Sequence, residues 1–369
     1  MELLHQVMLL CRAGFESECA AEIMQHVSAR GFAAYIKAET NSGYVLMASA
    51  DGRDTSDLIA QIDFRTLIFP RQWFACSTQL TDLPKNGRTI PLVTLAQQIS
   101  SELNSKFADL ELCFADTNEG RTLNRFCKAF RPHLLNALKQ QDLLNEQSRL
   151  RLHFCFSDSS TAWLGISHSG NHALEPMGIS RLRMPASAPS RSTLKLEEAI
   201  NWFFSGTEQQ RWLKPGMHAV DLGAAPGGWT WQLVRRGLLV TAVDNGPMDK
   251  ALMASGMVTH RRSDAFTFVP DQHVDWLVCD MAERPLHVSR LIARWFVRKH
   301  TEAAIFNLKL PMKKRYQTVM ECKQLIDKTL ATAGIAHELQ LKHLYHDREE
   351  ITACLHATSG LSTQRKIFE

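Results

Sequence analysis

From residue 218 to residue 357, short apolar runs alternate with longer stretches of helical period, and several runs end on an ionisable residue. His218–Leu222, Leu238–Val243, Met257–Arg261, Val274–Cys279 and Ala303–Lys309 read as strands. Trp229–Arg236, Leu286–Lys299 and Tyr316–Ala333 read as helices, the last closed by Gly334. His337–Leu344 and Ile351–Ala357 are two further strands, joined by a loop too short for a parallel crossover, so they pair antiparallel. This alternation predicts an α/β, doubly wound, Rossmann-like sheet of seven strands. It is mostly parallel, with the last strand antiparallel, and ligands sit at the carboxyl ends of its strands.

The N-terminal half is patterned differently. Val7–Cys11, Gly43–Ala48 and Leu150–Phe156 have strand character, and Glu16–Arg30 carries Cys19, Ala20, Ile23 and Val27 on one helical face. Thr66–Thr78 is strand-like, with a proline that suggests a sheet edge. Leu123–Gln140 is a second helix, bearing Arg125, Lys128, Arg131, His133 and Lys139, a charged face of the kind usually left to solvent. The half reads as α+β. Met184–Ser192, with two prolines, small residues and no apolar period, marks a linker between the halves.

Composition narrows the class. The 369 residues are 45% hydrophobic and 22% charged, ordinary for a globular chain of two or three domains. A net charge of +4 means that nucleic-acid contact would come from local patches. No two of the nine cysteines form a C-x-x-C pair, so no metal site is indicated. With no secretion signal, the odd number points to reduced thiols and a cytoplasmic location. No apolar run is long enough for a membrane helix, and a monomer is the default.

The glycine turn Gly223-Ala-Ala-Pro-Gly-Gly228, followed by Trp229, lies between the first strand and its helix, where backbone can approach a nucleotide-type cofactor closely. Its spacing is not that of the dinucleotide fingerprint, which weakens a nicotinamide dehydrogenase reading. Asp244, 21 residues after Gly223, can accept hydrogen bonds from both ribose hydroxyls. Asp264 can meet an adenine amino group or, equally, cap Ala265-Phe266. Asp280 and Lys309 end neighbouring strands and should converge on one crevice. Burial and nearby positive charge there would make Lys309 a general base toward an alcohol, whereas a lone strand lysine is more often salt-bridged at a sheet edge.

Asp221-Leu-Gly, Pro-Gly-Gly-Trp229, Cys279-Asp280 and Asn307-Leu-Lys-Leu-Pro together resemble the FtsJ-type (Rrm J) ribose 2′-O-methyltransferases. The resemblance implies S-adenosyl-L-methionine as cofactor and a catalytic tetrad of Lys195, Asp280, Lys309 and Glu350, with Glu349 as the alternative glutamate. APSRSTLKLEEA, VDNGPM, FNLKLPMKKRY and LYHDREE are similar, more specifically, to the bacterial large-subunit rRNA methyltransferases of the RlmM type. That likeness implies a class I methyltransferase domain over 193–369 behind a 176–192 linker. Ahead of these it implies a THUMP-containing region: a ferredoxin-like subdomain over 1–60 and a THUMP-like RNA-binding domain over 61–175. It implies 2′-O-methylation of one cytidine in the peptidyl-transferase region of 23S rRNA, free or in a pre-50S particle. It also implies cofactor contacts from Ser192, Gly223, Ala225, Pro226, Gly227, Gly228, Trp229, Asp244, Asp264 and Asp280.

On that reading Lys309 takes the hydroxyl proton, Asp280 orients Lys309, and Glu350 holds Lys195 and the ribose. Lys313, Lys314 and Arg315 suit phosphate contacts at the crevice mouth. Two rivals remain. A base-directed RNA methyltransferase is opposed by Asp280-Met-Ala-Glu, which cannot stack on a base. A non-catalytic RNA-binding module is opposed by the complete tetrad.

Overall fold

The computed structural model describes residues 4–358, which form two compact units that meet in the chain between Ser180 and Arg181. In the first, β1 (Gln6–Leu10), α1 (Glu16–Ser28), β2 (Ala34–Ala38), β3 (Tyr44–Ser49), α2 (Ser56–Ala60) and β4 (Gln72–Cys76) are followed by α3 (Thr89–Glu102), β5 (Asp109–Cys113), α4 (Asn118–Gln140), β6 (Leu150–Asp158) and β7 (Thr161–His168). All seven strands join one sheet in the order β2-β3-β1-β4-β7-β6-β5. Strands on either side of residue 60, where the sequence suggests a boundary, therefore share a sheet. β4 is not the edge its proline suggested. It pairs with both β1 and β7, because Pro70 precedes the strand and removes no ladder hydrogen bond.

The second unit runs α5 (Thr193–Phe203), α6 (Gly206–Trp212), β8 (His218–Leu222), α7 (Gly228–Arg235), β9 (Leu239–Val243), α8 (Lys250–Met253) and β10 (Val258–Arg261). It continues with β11 (Trp276–Cys279), α9 (Pro285–Val297), β12 (Ala303–Lys309), α10 (Arg315–Thr332), β13 (His337–Lys342) and β14 (Glu350–Ala357). The strand order is β10-β9-β8-β11-β12-β14-β13, with β14 antiparallel to both its neighbours and every other pair parallel. The order reverses between β8 and β11, so the loops leaving those strands diverge and open a crevice there.

An amphipathic period places α5 and α7 on the sheet. Leu196, Ile200, Phe203, Trp229 and Leu233 pack with Trp276, Val278 and Ile305 in a continuous buried cluster that fixes where β8 and β11 end. No helix among the described residues is long and apolar enough to cross a membrane. All nine cysteines are buried, and none is in a disulfide.

Gly165 on β7 lies opposite Cys76, where an added Cβ would fall 2.0 Å from the Ala75 carbonyl oxygen. We expect Gly165→Ala to pry β4 from β7 and lower stability by about 1–3 kcal/mol, read as a lower urea midpoint. An unchanged midpoint would mean that the two strands separate at no cost.

Candidate active site

The site begins where β8 runs out. Gly223 (φ +78°) turns the chain and donates its N–H to the Val243 carbonyl at 2.9 Å. Gly227 (φ +118°) lies in a region that disfavours a side chain. A Cβ on Gly228 would fall 2.2 Å from Ser192 Oγ and 2.4 Å from Ser190 Oγ, two hydroxyls that are themselves 2.7 Å apart. Only bare backbone fits between this turn and the start of α5. Asp244 ties the turn to the next strand, its Oδ2 accepting from Ala225 N at 3.0 Å and its Oδ1 from Gly246 N at 2.7 Å.

A cleft of about 290 Å³ opens above the turn, lined by Ser190, Ser192, Asp221, Gly223, Ala224, Ala225, Pro226, Trp229 and Asp280. The Trp229 indole N–H is buried without a hydrogen-bond partner, a donor that a ligand's acceptor would satisfy. Asp221, fully buried beneath, accepts from Thr230 Oγ1 at 2.6 Å, and burial pushes its carboxyl up to about 7. Asp264 is exposed at the end of β10, and its Oδ1 accepts from Phe266 N at 2.9 Å, a turn-capping bond. Asp244 and Asp264 are not among the residues lining the cleft. Their place is over the adjoining strand ends, β9 and β10.

Lys195 reaches up from the first turn of α5. Its Nζ stands 2.6 Å from Glu350 Oε1 and 3.3 Å from Asp280 Oδ1, bridging the carboxyl ends of β11 and the start of β14. Burial would favour its neutral form, but the two carboxylates outweigh this, and its basicity is raised. Burial likewise raises the Asp280 carboxyl, against the opposing pull of Lys195 and Asn307. Glu349 points elsewhere, paired with Arg315 at 2.7 Å.

Lys309 departs from expectation. It ends β12 in register with Glu350, yet its side chain is exposed and forms no ion pair among the described residues. The final residue of a strand has left the apolar layers that cover Leu308, so the expected burial is absent. Asp280 therefore contacts Lys195, not Lys309. Lys313 and Lys314 are exposed just beyond, with Lys314 in the left-handed region (φ +57°), whereas Arg315 is half-buried and engaged by Glu349.

Sequence reasoning missed a buried polar chain behind the tetrad. Asn307 Nδ2 donates to Asp280 Oδ1 at 2.7 Å, and Asn307 Oδ1 accepts from Thr352 Oγ1 at 2.8 Å. Thr352 Oγ1 also lies 2.9–3.0 Å from both Asp347 oxygens. The Thr352 hydroxyl carries one proton, shared between the Asn307 carbonyl oxygen and the Asp347 carboxyl group. Burial holds the Asp347 carboxyl well above the usual carboxylate range. A polar Asn307 inside an apolar strand, two residues before Lys309, was the available signal.

The donor set fits a cofactor with a polar amino-acid end and no pyrophosphate. One group of metal-type donors exists among the described residues, Glu111, Cys113 and His153, and it lies in the other unit. There Glu111 already accepts from Met177 N at 2.7 Å, beside Arg151.

Asp221 supplies a pH test. Its pKa rises from 3.8 unfolded to about 7 folded, so the native state binds the extra proton and stability falls as pH climbs through that interval. Asp221→Asn should keep an acceptor for Thr230 and flatten the decline between pH 4 and 7 by up to about 1.4 kcal/mol per pH unit. An unchanged slope in urea melts across that range would show that Asp221 is ionised in the fold.

Comparison with known proteins places the chain. Residues 4–74 match the RlmM ferredoxin-like domain, residues 88–168 the ribosomal RNA large subunit methyltransferase M N-terminal family, and residues 188–333 the FtsJ-like methyltransferase family. The chain is 48% identical over 352 residues to ribosomal RNA large subunit methyltransferase M of Cellvibrio japonicus (strain Ueda107), covering 95% of this chain and 99% of the relative. To that of Methylococcus capsulatus it is 46% identical over 355 residues, covering 96% and 98%. With an FtsJ-like domain built around this crevice and likeness along nearly its whole length, the chain belongs to the ribosomal RNA large subunit methyltransferase M family.

Proposed function

We propose that this protein transfers a methyl group from S-adenosyl-L-methionine to the ribose 2′-hydroxyl of a cytidine in the peptidyl-transferase region of 23S rRNA. The observation that carries the reaction type is the division of labour between two lysines. Lys195 is clamped by Asp280 and Glu350 and kept as an ammonium, while Lys309, at the end of β12 opposite Glu350, forms no ion pair among the described residues and is left to face the hydroxyl.

The residues at hand fit the cofactor. Backbone of Gly223–Gly228 with Ser192 and Trp229 would hold its amino-acid end, and Asp244 and Asp264 its nucleoside. The cofactor supplies an electrophilic methyl group on a sulfonium. The chain's own work is to align and deprotonate the hydroxyl. Lys309 Nζ takes the 2′-hydroxyl proton as the oxygen attacks, while the Lys195 ammonium, fixed by Glu350, donates toward the ribose and holds it in line. Asp280 keeps Lys195 charged and in place, and Asn307 fixes Asp280 in turn. No base-stacking residue is needed, because the reacting atom belongs to the sugar. Lys313 and Lys314 stand at the mouth for phosphate contacts. The THUMP-like region of the first unit would bind rRNA, and the substrate is free rRNA or an assembling particle.

The test is methyl transfer from tritiated S-adenosyl-L-methionine to unmodified 23S rRNA, mapped by the alkali resistance of a 2′-O-methylated linkage. We expect label at one alkali-resistant cytidine. In Lys309→Ala we expect turnover to fall on the order of 10²–10⁴-fold, with cofactor affinity by calorimetry unchanged. Label on a base would replace this reading with a base-directed methyltransferase. Cofactor binding without transfer to any rRNA would leave an RNA-binding module.

A further inference from the structure

α9 begins five residues after Asp280, so its N-terminus lies beside the crevice and its axis runs away from it. Val288, Ser289, Leu291, Ile292, Trp295 and Phe296 are buried. Of the exposed residues along it, all but Val297 are basic or histidine. His287, Arg290, Arg294 and Arg298 recur every three or four positions, all exposed, and so form one stripe on the side away from the core.

The helix contains no acidic residue, and Arg284 caps its start. Among the described residues Arg290 and Arg298 form neither an ion pair nor a side-chain hydrogen bond. Arg294 makes a single bond, to the Phe266 carbonyl at 2.6 Å. An ordinary solvated helix face intersperses both signs and pairs them at i, i+4. This one leaves like charges side by side, about 6 Å apart per four residues, close to the separation of neighbouring phosphates along one strand. The stripe ends at a cleft of about 290 Å³, where Phe266, Phe268 and Trp295 meet Arg294, Arg298 and His300. Aromatic faces beside guanidinium groups are the surroundings in which unstacked bases are held.

We propose that the outer face of α9 is the track on which the RNA strand flanking the target nucleotide lies, its phosphates on Arg290, Arg294 and Arg298 and a splayed base in the cleft at the helix's far end. The proposal rests on the reading of RNA as the substrate. The repulsion along the stripe is relieved when phosphates take the place of released counterions. Because the stripe leads out of the crevice, binding along it presents a ribose to the tetrad without any charge entering the crevice itself.

The test compares the full-length protein with an Arg290→Gln/Arg298→Gln double variant and with Lys214→Gln, an exposed lysine before β8. Arg294 is left intact because it also holds the Phe266 carbonyl. Affinity for a 23S rRNA fragment is read by fluorescence anisotropy across a salt series, with turnover measured separately. We expect the double variant to raise KM for rRNA on the order of tenfold and to lower the slope of log affinity against log salt by about 1.4–1.8. Cofactor affinity and kcat at saturating RNA should stay as in the wild type, and Lys214→Gln should match wild type throughout. Wild-type slope and KM in the double variant would overturn the track while leaving the proposed reaction untouched. A defect seen on ribosomal particles but not on naked rRNA would overturn it in favour of a protein-docking face. Methyl transfer to no rRNA by the wild type would overturn the reaction, and the anisotropy series would still decide whether α9 binds RNA.

Discussion

The catalytic half of this protein depends on one ammonium. Asp280 and Glu350 come from strands on opposite sides of β12, one parallel to it and one antiparallel, and their carboxyl groups converge in a half-buried crevice. Two such anions repel, and removing them from water costs far more than a hydrogen bond returns. Lys195 resolves the conflict by entering from α5, a helix outside the sheet, and bridging both. Removing one member of such a group leaves an uncompensated buried charge. The same contacts that organise the site therefore also hold α5 to the sheet's carboxyl edge.

Behind that ion group the structure substitutes neutral hydrogen bonds for further charge. Asn307 occupies the position between Asp280 and Thr352, and the buried Asp347, its carboxyl held well above the usual range, closes the chain. The antiparallel insertion of β14 makes this possible, because it sets Thr352 directly opposite Asn307 and Glu350 opposite Lys309. A parallel strand in that place would start its residues at the other end of the sheet and bring a different set to the crevice. Topology thus decides which side chains share the site.

How much of this could be read from sequence follows from what kind of signal each feature leaves. The parallel strands of the second unit were legible within about two residues because they are short and largely apolar, two of them running out at Asp280 and Lys309, a pattern that suits a covered sheet. The first unit was legible only in part: β1, β3, β6, α1 and α4 could be read, and β2 and β5 could not. β2 is a largely exposed edge strand, AYIKA, and β5 carries Asp109 and Glu111 among its five residues, so neither shows an apolar run. The ionisable residues proposed for the site were legible by position, Asp280, Lys309 and Glu350 at strand ends and Lys195 just ahead of the sheet. Their pairing was not, since whether Asp280 meets Lys195 or Lys309 depends on side-chain direction across α5 and β12, which spacing along the chain does not encode. Glu350 and Glu349 illustrate the same limit: adjacent residues at a strand start face opposite ways, one to Lys195 and the other to Arg315.

The charge layout suits the proposed chemistry. Within the crevice one ammonium, Lys195, stands against two carboxyl groups, surroundings that favour a sulfonium and do not attract phosphate. Outside it, Lys313, Lys314 and the stripe on α9 are positive and unneutralised by acidic neighbours on the helix. A polyanion is therefore drawn to the rim and not into the crevice, while an uncharged ribose hydroxyl enters with little electrostatic penalty. Overall basicity would serve this poorly, because it would bind RNA everywhere with equal strength. A chain of net charge +4 reaches the same end by position alone.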